Sequence, residues 1–147
     1  MPALTQERPT LGGDLTGFTH FHEPIALQDA TIAYKGALIA LHISGATAGE
    51  VAPGVTATTM QGLGRAVKTV DNTDDGEVLE VEAGAFWWDN SAAADEVTAE
   101  NIGSLCYIVD DQTVAATDGT STRSPAGRVV DVHATHGVLV LSHPAVF

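Results

Sequence analysis

Apolar and polar residues alternate along residues 77–88 in a pattern that changes half-way. Leu79, Val81, Ala83, Ala85 and Trp87 share one face of an extended strand, and all are apolar. The opposite face begins as Glu80 and Glu82, passes Gly84 and ends as Phe86 and Trp88. Such a strand is half-buried at its start and apolar on both faces at its end. Three of the chain's eight aromatic residues sit in Phe86-Trp87-Trp88. One fully buried indole contributes several kcal/mol at ~25 cal/mol per Å2. The tripeptide therefore needs a cover: a flap of the same chain, a second subunit or a partner. We assign Phe86, Trp87 and Trp88 to a subunit interface.

Short strands separated by turn residues occupy most of the remaining chain. Residues 24–32 and 34–41 are apolar-rich runs, residues 44–49 form a Gly-containing loop, and residues 50–53 suit a short edge strand. Residues 62–70 lead through the acidic, Gly-ended stretch Asp71-Asn-Thr-Asp-Asp-Gly76, a hairpin signal, into the aromatic strand. Thr98-Ala-Glu-Asn-Ile102 predicts one helical turn, with Thr98 as N-cap and Gly103 ending it. Residues 105–109 with 112–115, and 128–134 with 138–141, predict two further hairpins. Many short strands with hardly any helix indicate an all-β barrel or sandwich.

Residues 1–22 differ from this body. Pro2, Pro9, Gly12, Gly13 and Gly17 break any period, yet Leu11, Leu15, Phe18 and Phe21 make the stretch too apolar for a plain linker. It reads as an extended arm that orders against another surface, with a frayed terminus as the alternative. The chain thus divides into an arm, 1–22, and one β-rich domain, 23–147.

Length and composition sharpen the picture. A chain of 147 residues, 44% hydrophobic and 17% charged, suits a single folded domain. Much of the apolar content is Ala and Val, which makes a thin core and gives self-association a purpose. The formal charge of −13, with only six Lys and Arg scattered along the chain, disfavours direct nucleic-acid binding. No apolar run reaches membrane-spanning length, and the first residues lack the pattern of a signal peptide. The expected site of synthesis is the cytoplasm.

Candidate chemistry is sparse. Asp71, Asp75, Gly76 and Glu82 match a calcium-loop spacing, but the second half of that loop alternates like a strand, so a solvated acidic hairpin is the expectation. His20 and His22 form an i, i+2 pair, and His133, His136 and His143 lie near the last hairpin; none has zinc-ligand spacing. Cys106 lies within an apolar strand and suits a buried thiol. Gly62-Leu-Gly64 opens like a dinucleotide loop, but Val67 stands where the third glycine belongs. Glu80 and Glu82, two apart on a strand, read as a wet face rather than a glycosidase pair. We assign no catalytic residue, metal or cofactor.

Several short motifs follow one another in order: Gly64-Arg-Ala-Val, Gly76-Glu-Val-Leu-Glu-Val-Glu-Ala-Gly-Ala-Phe, Thr98-Ala-Glu-Asn-Ile-Gly-Ser-Leu-Cys-Tyr-Ile-Val-Asp-Asp-Gln-Thr-Val-Ala, Arg123-Ser-Pro-Ala-Gly-Arg-Val-Val-Asp-Val and Gly137-Val-Leu-Val. Tyr34-Lys-Gly-Ala-Leu-Ile-Ala-Leu precedes them. Together, over about residues 24–141, they resemble the small cement, or head decoration, proteins of tailed bacteriophages. The resemblance implies a small β-barrel or β-tulip domain that forms a homotrimer on the outer surface of the expanded head. There it bridges major capsid proteins and stabilises the shell mechanically, so the implied location is the virion, after the host cytoplasm during assembly. The long arm and Trp87-Trp88 depart from the family pattern. Leu11, Leu15, Phe18 and Phe21 are the expected arm contacts to the capsid or a neighbouring subunit. The competing expectation is a carbohydrate-binding β-module in which Trp87 or Trp88 stacks on a sugar.

Overall fold

The computed structural model describes residues 3–10 and 18–147. Thirteen strands are formed among them, in chain order β1 (His20–Phe21), β2 (Ile25–Ala26), β3 (Ile32–Ala33), β4 (Leu38–His42), β5 (Val51–Pro53), β6 (Met60–Ala66), β7 (Val70–Asp71), β8 (Val78–Leu79), β9 (Val81–Asn90), β10 (Leu105–Ile108), β11 (Thr113–Ala115), β12 (Pro125–His133) and β13 (Gly137–Ser142). The order β11-β10-β12-β13-β9 closes into a five-stranded barrel because β11 pairs back on β9 in parallel, Thr113 with Asp89 and Val114 with Asn90. The domain is all-β, as its short strands predict.

The aromatic strand β9 is the hub. At Glu82 it is paired on both edges, to Phe21 of β1 and to Arg65 of β6. Beyond Gly84 its partners change, to β13 along one edge and to β11 at its end. The side facing the interior changes too. Leu79 and Val81 enter a core with Leu27, Ile39, Val51, Leu63 and Val70. Phe86 and Trp88, on the opposite face, enter the barrel core with Leu38, Met60, Cys106, Ile108, Val114 and Val140. A strand that serves two cores from opposite faces must be apolar on both, which accounts for the two-sided pattern.

The predicted hairpins form with adjustments. The strand of 62–70 and the aromatic strand are antiparallel neighbours only at Arg65–Ala66 and Val81–Glu82. Their acidic connection then splays apart, β7 pairing with β3 and β8 with β2. The run of 24–32 is accordingly two short strands, not one. The predicted hairpins β10–β11 and β12–β13 are present. The expected helical turn is a single 3-10 turn, Ala99–Asn101, in which the Thr98 amide donates to the Asn101 side chain at 2.7 Å.

One approach between strands dictates a residue type. A Cβ on Gly62 of β6 would lie 2.0 Å from the Ala126 carbonyl oxygen of β12, so only glycine lets the two strands cross at this distance.

Candidate functional site

The described part of the arm lies on its own barrel. The Leu4 amide donates to Asp111 Oδ1 at 2.7 Å, the Arg8 amide to the Lys35 carbonyl at 3.0 Å, and the Thr10 hydroxyl to the Gly36 carbonyl at 2.6 Å. Gly36 has φ +87°, and a Cβ there would sit 2.1 Å from the Arg8 carbonyl oxygen. Further on, β1 pairs with β9, and the His22 amide donates to the Val81 carbonyl at 2.9 Å. The expectation that the arm orders against another surface is corrected for residues 3–10, whose hydrogen bonds go to the chain's own body, while β1 adds a short strand to β9 and leaves the Phe18 and Phe21 rings exposed. Leu11 and Leu15 lie outside the described residues. Phe18 packs edge-on against His143, and Phe21 is 61% exposed.

Two arginines tie the arm to the aromatic strand. The Arg65 guanidinium lies 4.5 Å from the Phe86 ring centroid, pairs with Glu82 at 2.8 Å and donates to the Thr10 carbonyl at 2.6 Å. Arg8, from the arm itself, lies 5.8 Å from the Trp88 ring centroid and donates to the Gln112 carbonyl at 3.3 Å. These cations cover the barrel mouth where β9 passes between partners. With Lys35 and Phe21 they line a groove of about 390 Å3. All three nitrogens of the Arg65 guanidinium point at Glu82 or Thr10 within that groove.

The assignment of the whole tripeptide to a subunit interface is corrected by burial. Phe86 is 3% exposed and Trp88 fully enclosed within the chain's own barrel. The missing cover is supplied from within, by β10, β12, β13 and the two arginines. Neither ring can meet a second subunit or a sugar without opening the core. Trp87 alone remains at the surface. It is half-buried on the outer face, over Ala85, Leu139 and Leu141, with Val130 and Val146 beside it. Its indole contacts His133 at 6.3 Å and His136 at 5.6 Å between ring centroids, and those imidazoles stack on each other at 4.6 Å. His133 Nδ1 accepts from the Thr135 and His136 amides, so in the neutral ring Nε2 carries the proton.

The other candidates resolve as structural features. Glu82 of the calcium-like spacing is held by Arg65, and Asp71 accepts from the Thr73 amide and hydroxyl, which hold its carboxyl below the usual range. No group of three or more metal-ligating side chains converges among the described residues. Burial pushes the Cys106 thiol up to about 12, far from thiolate chemistry. Asp95 is held below the usual carboxylate range by Arg123 and Thr117. Asp111 lies in the β10–β11 connection, as expected, but is buried there, and its carboxyl pKa is raised by that burial.

No family model, curated protein or solved structure matches the chain.

Proposed function

We propose that this chain is a structural virion protein of the head decoration type, a homotrimer that binds the outer surface of an expanded phage capsid and bridges major capsid proteins. One observation carries the reading: four of the motifs that resemble that family supply, in sequence order, the strands of the barrel. Residues 76–86 run into β9, residues 98–115 provide β10 and β11, residues 123–132 provide β12, and residues 137–140 open β13. A set of motifs that supplies every strand of one closed barrel behaves as a single structural unit.

The surface is consistent with a binding rather than a chemical role. Trp87, Phe18, Phe21 and Phe147 offer apolar contact area on an acidic body. In this reading Trp87 is the one member of the tripeptide available to a neighbour, and many copies with modest contacts hold the shell by avidity. Mass measurement of the free protein, followed by co-sedimentation with expanded and unexpanded shells, tests it. A trimer that pellets with expanded shells supports the reading; failure to pellet with either shell refutes it.

The carbohydrate-binding reading keeps one supporting observation, the surface position of Trp87 beside the stacked imidazoles of His133 and His136. Quenching of Trp fluorescence by sugars, lost in Trp87→Ala, favours it over the capsid reading.

A further inference from the structure

His20, His22 and His143 lie where β1 docks on β9. β1 holds β9 through only two residue pairs, His20 with Ala83 and Phe21 with Glu82, supplemented by the bond from the His22 amide to the Val81 carbonyl. The His20 and His22 rings meet edge-on with centroids 4.8 Å apart, and Phe18 packs edge-on against His143 at 5.9 Å. Nε2 of His22 is enclosed and has no hydrogen-bond partner. A neutral imidazole can leave one nitrogen unpaired as a bare acceptor. An imidazolium carries a donor on both nitrogens, and an unmet charged donor out of water is costly.

We infer that His22, flanked by His20 and His143, is an acid-opened latch, whose protonation detaches β1 from β9 and frees the segment Phe18–His22 while the barrel stays closed. The groups acting on His22 are His20 of the adjoining strand β1 and His143 of the segment after β13, and both disfavour a positive charge on it. The nearby carboxylates are committed elsewhere: Glu82 of β9 pairs with Arg65, Glu80 faces Lys68 at 3.9 Å, and Glu23 is exposed. Burial, then His20 and His143, lower the His22 pKa from its usual 6.5. A group whose folded pKa is lowered supports the closed state above its free value, and that support is lost as pH falls through the folded value. Opening parts the Phe18 ring from His143 and uncovers the β9 edge at Glu82–Ala83, which converts a self-docked segment into one able to dock elsewhere.

Hydrogen exchange on the full chain at about pH 7.5 and 5, corrected for intrinsic rates, tests the latch. The expected result is a roughly tenfold or greater loss of protection over residues 18–23 at the lower pH, with β10, β12 and β13 unchanged. Protection kept at pH 5, or lost together with the barrel strands, overturns it. The double variant His20→Gln, His143→Gln should move the opening to lower pH, and the single variant His143→Gln should do so to a smaller degree. Opening at an unchanged pH in both overturns the role of the cluster. None of these measurements involves a capsid, so their outcome is separate from that of the decoration reading.

Discussion

The guanidinium of Arg65 sits over the ring of Phe86, 4.5 Å from its centroid, while the same side chain holds Glu82 and the backbone of Thr10. One residue of β6 thereby joins the aromatic strand, the acidic face beside it and the arm. Both members of the Arg65–Glu82 pair are shielded from water, at 28% and 15% exposure. Arg65→Ala removes a cation–π contact, a partly buried ion pair and a backbone hydrogen bond, and leaves Glu82 alone. It should cost about 2–4 kcal/mol. Arg65→Lys should recover less than half, because an ammonium cannot form the planar fork that reaches both Glu82 and Thr10. Urea unfolding of the three proteins checks both statements.

The two indoles should respond differently to truncation. Trp88 is enclosed by the barrel core, so Trp88→Ala should cost about 3–5 kcal/mol and show as a lowered unfolding midpoint. Trp87 lies on the outer face, and Trp87→Ala should cost about 1 kcal/mol, while its effect on subunit association should exceed that of any conservative change at Trp88. If the chain forms the trimer proposed above, light scattering on Trp87→Ala and Trp88→Phe tests where the subunits meet. Loss of that trimer in Trp88→Phe alone contradicts the placement of Trp87 at the contact.

Much of the fold is legible in the sequence, and what is not has identifiable physical causes. The hairpins β10–β11 and β12–β13 have turn residues between apolar runs, a local signal, and both form. The closure of the barrel, β11 on β9, joins residues more than twenty apart in parallel and has no local signal. The doubly apolar end of β9 correctly marks a strand needing cover on both faces. Alternation cannot say whether that cover comes from the chain itself or from a neighbour, so the subunit interface expected at Phe86 and Trp88 is instead the barrel's own interior. Arg8 and Arg65 read as scattered cations because 57 positions separate two groups that meet over one strand. The arm's apolar residues suggest docking, whereas its anchors are backbone amides of Leu4 and Arg8 and the polar side chains of Arg8 and Thr10, which have no periodic signal.

Gly62 and Gly45 separate crowding from backbone strain. Gly62→Ala drives a methyl group to 2.0 Å from the Ala126 carbonyl oxygen, and neither backbone can yield without breaking its ladder. The cost should be about 3 kcal/mol or more. Gly45, at φ +85° in open space, should lose only about 1 kcal/mol on replacement by Ala. Thermal unfolding of the two variants should rank them in that order; equal midpoints would mean that β6 and β12 separate freely.

Asp111 gives the barrel a pH dependence of unusual sign for an aspartate. Burial raises its carboxyl pKa in the folded protein, with Asp110 adding to the effect and the Leu4 amide and Arg8 opposing it. A raised folded pKa means that its contribution to stability is complete below the unfolded value, about 4, and is lost as pH rises through the folded value. Asp111→Asn keeps an oxygen for the Leu4 amide and removes the ionisation. The variant should match the parent near pH 3.5 and become progressively more stable than it towards pH 7. Urea midpoints across that range check the sign, and a variant less stable at pH 7 would show that the ionised carboxylate is the better partner for Leu4.

Removing residues 1–10 should weaken the barrel itself, not merely its reach. The deletion takes away the bond to Asp111, the Arg8 and Thr10 contacts around Gly36, and the guanidinium beside Trp88. It also leaves the buried Asp111 carboxyl without its amide donor and Arg65 without the Thr10 carbonyl. Unmet buried polar groups cost about 1–3 kcal/mol each, so a loss of roughly 3 kcal/mol or more is expected. Trp88 fluorescence should shift to longer wavelength as water reaches the barrel mouth, and the Cys106 thiol should become open to alkylation at mildly alkaline pH. A truncated chain with parental stability and a still-shielded Cys106 would show that the first ten residues are an appendage, and that the barrel is closed by its strands alone.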